Sequence, residues 1–251
     1  MKRIFTGLTD TGVIRSVNQD AFYNDPEGRF FIVADGMGGH AGGQEASQLA
    51  TTAIQEYLLA HWESDKPSDQ LLQAALLKAN QSILEDQRQH PERSDMGTTV
   101  VVLLFRPTPE QQTEQPWVAH IGDSRLYRLR GHHLQQMTVD HTWVAKAMAS
   151  GVLEPEQGRT HPWRHVLSQC LGREDTQEDD IDINFIELQG GDRLLLCSDG
   201  LTEELPDGTI ASTLKSIRSC DMAGQKLIEQ AKEKGGRDNI TVVIIALESE
   251  Y

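Results

Sequence analysis

The 251-residue chain has only three cysteines, Cys170, Cys197 and Cys220, and no Cys-x-x-Cys pair. An odd, scattered set supports neither a disulfide framework nor a zinc knuckle, and it fits a reducing compartment. Basic residues are scarce as well: 23 Lys and Arg stand against 38 Asp and Glu, a formal net charge of −15. So acidic a chain is a poor sequence-independent binder of nucleic acid, because phosphate contacts need clustered Lys and Arg. No apolar run approaches the roughly 18 residues of a membrane span, and the N-terminal MKRIFTG passes straight into polar sequence without an apolar signal core. There is no internal repeat, low-complexity tract or Pro/Gly/Ser-rich interior linker. The expectation is one cytoplasmic domain over residues 1–251, with no nucleic-acid or membrane partner.

What the chain does have is a set of short apolar runs that read as buried strands: Phe30 to Ala34, Thr98 to Phe105, Trp117 to Ile121, Arg193 to Cys197 and Ile240 to Ala246. Two segments have helical spacing instead. Ala46, Leu49, Ala50, Ala53, Tyr57 and Leu58 form one apolar face, and Leu72, Ala75, Leu76, Ala79 and Ile83 form another, with Ser68 and Asp69 as its expected caps. Further helices are predicted from Trp143 to Ser150, stopping at Gly151, and from Ala223 to Lys234, stopping at Gly235 and Gly236. The polar, proline-bounded stretch from Arg106 to Pro116 reads as a loop between strands. Two consecutive helices between strands break the alternation of a doubly wound parallel sheet, so an α+β layered fold is expected.

Acidic residues recur at the ends of these runs. Asp35 follows FFIVA and precedes Gly36, Gly38 and Gly39; Asp199 follows LLLCS and precedes Gly200. Asp238 lies between Gly235-Gly236 and the strand at Ile240, Asp123 sits in a Gly-Asp-Ser turn where a tight hairpin is expected, and Asp20 closes the phrase from Arg15, read as a strand leading into a turn. A single Asp-Gly is ordinarily a plain turn, but two strands each delivering Asp-Gly, with further aspartates at strand ends, suit hard divalent cations that prefer oxygen ligands. Arg15 is suited to grip a phosphate and His40 to protonate a leaving oxygen, although an Arg15–Asp20 or similar surface ion pair would explain the arginine as well. Other phosphatase and hydrolase patterns are absent: no Cys-x5-Arg, no Asp-x-Asp, no His-Glu-x-x-His and no Gly-x-Ser-x-Gly elbow.

Taken in order, RxxNQD at 15–20, ADGMGGH at 34–40, MGTT at 96–99, GDSR at 122–125, DH at 140–141, SDGL at 198–201 and GGRDNITVV at 235–243 resemble the PPM family of metal-dependent serine/threonine phosphatases, type 2C. With HPWRHVLSQCLGRED at 161–175, the chain is most similar to compact bacterial members, especially cyanobacterial PII-phosphatase-like enzymes. The resemblance implies a four-layer α-β-β-α sandwich, in which two central antiparallel β-sheets are flanked by helix pairs. It implies that Asp35, Asp199 and Asp238, with the carbonyl of Gly36, hold two Mn²⁺ or Mg²⁺ ions, and that Asp123 with Asp199 holds a third. Arg15 would bind substrate phosphate, Asp20 would orient metal-bound water, and His40 is the candidate acid. A flap at about 140–182, with His161, Trp163 and Arg164, is the expected place of substrate selection. Gln19 stands where many members have Glu, which removes a charge near the metals.

The expected reaction is direct attack on a phosphoserine or phosphothreonine ester by a hydroxide held between the two ions, without a phospho-enzyme. The expected partner is a phosphorylated signalling protein such as PII, acted on by a monomeric enzyme. Two alternatives from other classes are an inactive phosphoprotein-binding module and a serine esterase using Ser124.

Overall fold

The computed structural model describes residues 1–39, 42–107, 114–154, 157–158 and 161–248. The chain opens with β1 (Lys2–Asp10), β2 (Asp20–Asn24) and β3 (Phe30–Met37), followed by α1 (Gly42–Ala60) and α2 (Ser68–Gln89). Next come β4 (Gly97–Thr98), β5 (Val100–Pro107), β6 (Glu114–Ile121), β7 (Arg125–Arg130), β8 (His133–Gln136) and α3 (Trp143–Ala149). The C-terminal part holds β9 (Asp182–Phe185), β10 (Arg193–Cys197), α4 (Asp199–Thr202), α5 (Asp207–Ser216), α6 (Cys220–Lys234) and β11 (Ile240–Glu248). The strands form two antiparallel sheets, ordered β1-β11-β10-β7-β8 and β2-β3-β5-β6-β9, with β4 paired to β3.

Side-chain alternation along the strands builds the layers. In β3, Phe30, Ile32 and Ala34 pack with Ala50, Ile54, Leu72 and Leu76 of α1 and α2. Phe31 and Val33 point the other way and meet Val101, Leu103, Leu194, Leu196, Val243 and Ile245 between the sheets. On the far side, Leu195, Cys197, Val242 and Ile244 pack with Ile210, Leu214, Ala223 and Leu227 of α5 and α6. Strands buried on both faces read as continuous apolar runs, which is why these segments stand out in the sequence. Each fully buried aliphatic or aromatic side chain contributes about 1.5–3 kcal/mol. This is the expected α+β sandwich of two antiparallel sheets between helix layers. No described helix is long and apolar enough to cross a membrane.

Several local expectations change. Asp123 lies between β6 and β7, which belong to different sheets, so the turn is a crossover between layers and not a hairpin; Gly122 makes it with φ +104. The run from Thr98 to Phe105 is split at Thr99, whose amide leaves the ladder to bond the Asp35 carbonyl at 2.9 Å. Arg15 sits on an irregular segment between β1 and β2, because that loop must cross from one sheet to the other. Pro67, not Ser68 or Asp69, occupies the N-cap of α2, with no side-chain cap bond. The predicted helix ends hold: Ser150 follows α3 with Gly151 at φ +72, and Gly235 and Gly236 close α6 at φ +152 and +52.

The Arg106 to Pro116 connection is shorter than expected, since β5 runs to Pro107 and β6 begins at Glu114; residues 108–113 lie outside the described residues. Arg106 is not a loop residue but is 4% exposed, and its guanidinium donates to the carbonyls of Trp62 (2.9 Å), Lys66 (2.6 Å) and Ser64 in the α1–α2 connection. Those carbonyls have lost water, so removing the donor leaves them unpaired. Arg106→Ala is expected to lower unfolding stability by about 2–4 kcal/mol in urea titrations, with the Asp35 and Asp199 end of the sandwich left intact.

Candidate metal centre

The inter-sheet face changes character at one end of the sandwich. Phe31 and Val33 are followed two residues on by Asp35, while Phe22 is preceded two residues back by Asp20; the two aspartates are cross-strand partners. The same alternation places Thr99 before Val101, Ser124 before Leu126, Ser198 after Leu196 and Thr241 before Val243. Apolar core thus gives way to a patch of carboxylates and hydroxyls contributed by both sheets.

The hydroxyls set the carboxylates. Asp20 Oδ2 accepts from Ser198 Oγ at 2.7 Å and from Thr241 Oγ1 at 2.6 Å, and Thr241 Oγ1 also meets Thr9 Oγ1 at 2.7 Å. Asp20 Oδ1 is buried with no hydrogen-bond partner. Thr98 Oγ1 donates to the Asp35 carbonyl at 2.8 Å, and Thr99 Oγ1 lies 2.7 Å from Ser124 Oγ. Asp199 begins α4 one residue after β10, with Ser198 as the N-cap between them. Gly36 permits a close approach between β3 and α1: a Cβ there would lie 1.9 Å from the Gly43 carbonyl oxygen and 2.6 Å from that of Gln19.

Asn239 ties the remaining pieces together. Its side chain donates to the carbonyls of Thr11 (2.9 Å) and Val17 (3.0 Å) and accepts from the Gln19 amide (2.8 Å). That fixes the segment bearing Arg15, whose Nη2 donates to Asp238 Oδ2 at 2.6 Å. The alternative of an Arg15 ion pair is thus met, by Asp238 and not by Asp20, which is taken by the two hydroxyls inside the sandwich. Gly12, at φ +80, brings the same segment against the Asp238 carbonyl, where a Cβ would lie 2.2 Å away.

Burial and mutual repulsion raise these carboxyls. Burial first, with Asp199 and Asp238 adding and the Thr241 and Ser198 hydrogen bonds opposing, pushes Asp20 up to about 7. Burial, then the neighbouring aspartates, lifts Asp35 well above the usual carboxylate range; Asp123 is lifted likewise by burial, Asp199 and Asp140. Asp199 is raised by burial and by Asp238. Packed anions of this kind stay protonated or take up cations. The all-oxygen donors and the unpartnered Asp20 Oδ1 suit hard divalent ions, which Asp35, Asp199 and Asp238 with the Gly36 carbonyl could hold.

Of the other expected residues, His40 lies outside the described residues. His161 stacks on Trp143 with centroids 5.0 Å apart, and Trp163 meets Trp143 edge-on at 5.0 Å. Trp163 is 54% exposed, and Arg164 is exposed beside it. Ser124 is 1% exposed and bonded to Thr99, which leaves it badly placed as an esterase nucleophile. Sequence reasoning missed Ser198, Thr241 and Asn239 as supports, though all three adjoin the acidic phrases. It also missed Glu203, pushed up to about 7 by burial and by Asp199, and His165, whose Nδ1 contacts Glu203 Oε1.

Residues 14–231 match the family model described as Protein phosphatase 2C. The chain is 36% identical over 243 residues to the serine/threonine protein phosphatase PstP of Mycobacterium tuberculosis, covering 96% of this chain but 44% of PstP. It is 35% identical to the protein phosphatase PhpP of Streptococcus pneumoniae over 97% of each chain. Among solved structures, the M. tuberculosis PstP phosphatase superposes with a TM-score of 0.85 at 36% identity, covering 98% of this chain and 99% of that one. A PstP catalytic domain in complex with two manganese ions gives 0.83 at 34% identity, covering 98% and 99%. The chain belongs to the protein phosphatase 2C family, also called PPM. These relatives support the bacterial serine/threonine phosphatase class; the narrower likeness to cyanobacterial PII phosphatases draws no support from them.

Because the carboxyls are raised, the metal-free folded state binds more protons than the unfolded state between about pH 4 and the Asp20 value of about 7. Their contribution to stability is therefore present at low pH and lost as pH rises through that window. In EDTA, the thermal midpoint is expected to fall between pH 5 and pH 8 (about these limits), and Mn²⁺ should reverse the fall while releasing protons. A midpoint in EDTA that rises over the window would contradict the electrostatic account.

Proposed function

We propose that residues 1–251 act as one domain that hydrolyses phosphoserine and phosphothreonine esters in proteins, using two Mn²⁺ or Mg²⁺ ions and a third beside them. The observation that carries this reading is the convergence of Asp20, Asp35, Asp123 and Asp199 from both sheets, each with its carboxyl raised by burial and the nearby acidic groups. When bound, such ions supply an activated water and neutralise charge on the phosphoryl group. Arg15, half exposed on a segment anchored by Asn239, would turn from Asp238 to grip the non-bridging phosphate oxygens. Asp20 has one oxygen committed to Ser198 and Thr241, which leaves the other to accept a proton from the attacking water and aim it. His40 is the candidate donor to the leaving oxygen on sequence grounds alone.

Substrate choice is proposed to lie in the flap, where the exposed Trp163 and Arg164 project beside His161. A phosphorylated signalling protein such as PII is the substrate candidate suggested by the resemblance, and a monomer the working oligomeric state. The test is phosphate release from a phosphothreonine peptide across a Mn²⁺ titration. Release should saturate with Mn²⁺, stop in EDTA, and fall about a thousandfold in Asp199→Ala, equivalent to about 4 kcal/mol. Folded protein that releases nothing would point to a phosphoprotein-binding module. Turnover indifferent to EDTA but lost in Ser124→Ala would point to the esterase.

A further inference from the structure

Glu203 lies four residues beyond Asp199 at the C-terminal end of α4, and its amide bonds the Asp199 carbonyl at 2.8 Å. A closed helical turn therefore separates the two carboxylates, which lie on the same side of the helix. His165 comes from the flap, between α3 and β9, and its Nδ1 contacts Glu203 Oε1. One donor atom from each of His165, Asp199 and Glu203 lies within 4.8 Å of the other two.

The nearby cations are largely engaged elsewhere. Arg237 is held by Glu204 at 2.8 and 3.1 Å, Arg125 by Asp140 at 2.8 and 2.6 Å, and Arg15 by Asp238 at 2.6 Å. Arg164, next to His165, acts on Glu203 from a distance. Both carboxylates are partly withdrawn from water, while His165 is 41% exposed, so an ion could enter from the flap side. One imidazole with two carboxylates favours a transition-metal dication such as Mn²⁺ over Mg²⁺, because nitrogen ligation suits the softer ions.

We propose that His165, Asp199 and Glu203 bind an additional transition-metal ion that clasps the flap to α4. The clasp differs from the Asp123 and Asp199 set in using two residues outside the acidic phrases, one of them on the flap, and it rests on Asp199 being a metal ligand. Closure of the flap and occupancy of this ion then favour one another, since each presents the ligands or the charge that the other needs.

The probe is Mn²⁺ alone. Pulsed electron paramagnetic resonance on the full chain, titrated past the equivalents that the other proposed ions take, should show coupling to an imidazole nitrogen, and His165→Ala should abolish it. Glu203→Gln should weaken binding of the last equivalent about tenfold or more while the fold, read by circular dichroism, is kept. Mn²⁺ should also slow protease cleavage of the flap in the wild type and not in His165→Ala. Absence of imidazole coupling, or coupling that survives His165→Ala, overturns the clasp. If two equivalents still bind and EDTA-sensitive phosphate release persists, only the clasp fails; if no Mn²⁺ binds at all, the phosphatase reading fails with it.

Discussion

Crowded negative charge at one end of a dry sandwich is the constraint on which this structure turns. Asp20 and Asp35 face each other across adjacent strands, Asp199 arrives from the opposite sheet, and Asp123 occupies the crossover between sheets. Left to themselves, such groups resist the packing that brings them together. The apolar layers below hold them in place: Phe31, Val33, Leu196 and Val243 supply the burial that an isolated acidic loop would lack. A charge cluster maintained against its own repulsion is a receptor for cations, and the core is what keeps it poised.

Much of this was legible in the chain, for a physical reason. Strands buried on both faces, such as Phe30 to Ala34 and Arg193 to Cys197, are uninterrupted apolar runs, and the acidic residue ending each run marks where core meets site. The helices of the first layer were visible from the spacing of Ala46, Ala50 and Ile83. Strands β1, β2, β8 and β9 were not legible, because their residues are mostly half-buried or exposed and carry no continuous apolar signal. The same limit misplaced Asp123: from sequence, two strands joined by Gly-Asp-Ser look like a hairpin, and only sheet membership reveals a crossover.

The site was legible in its acids and illegible in its supports. Aspartates beside glycines announce themselves, whereas Ser198 and Thr241 act through hydroxyls that are common in any sequence, and their convergence on Asp20 depends on neighbouring strands meeting in register. His165 and Glu203 were hidden for a different reason. Their contact joins residues far apart in the chain, and no local motif encodes it.

Asn239 follows Asp238 directly and holds the segment carrying Arg15 through three hydrogen bonds. Arg15 and Asp238, the residues proposed to meet phosphate and metal, thus hang from one anchor. On the proposed roles, registration between substrate and cation would then rest on a single side-chain amide, since both residues are tied to it.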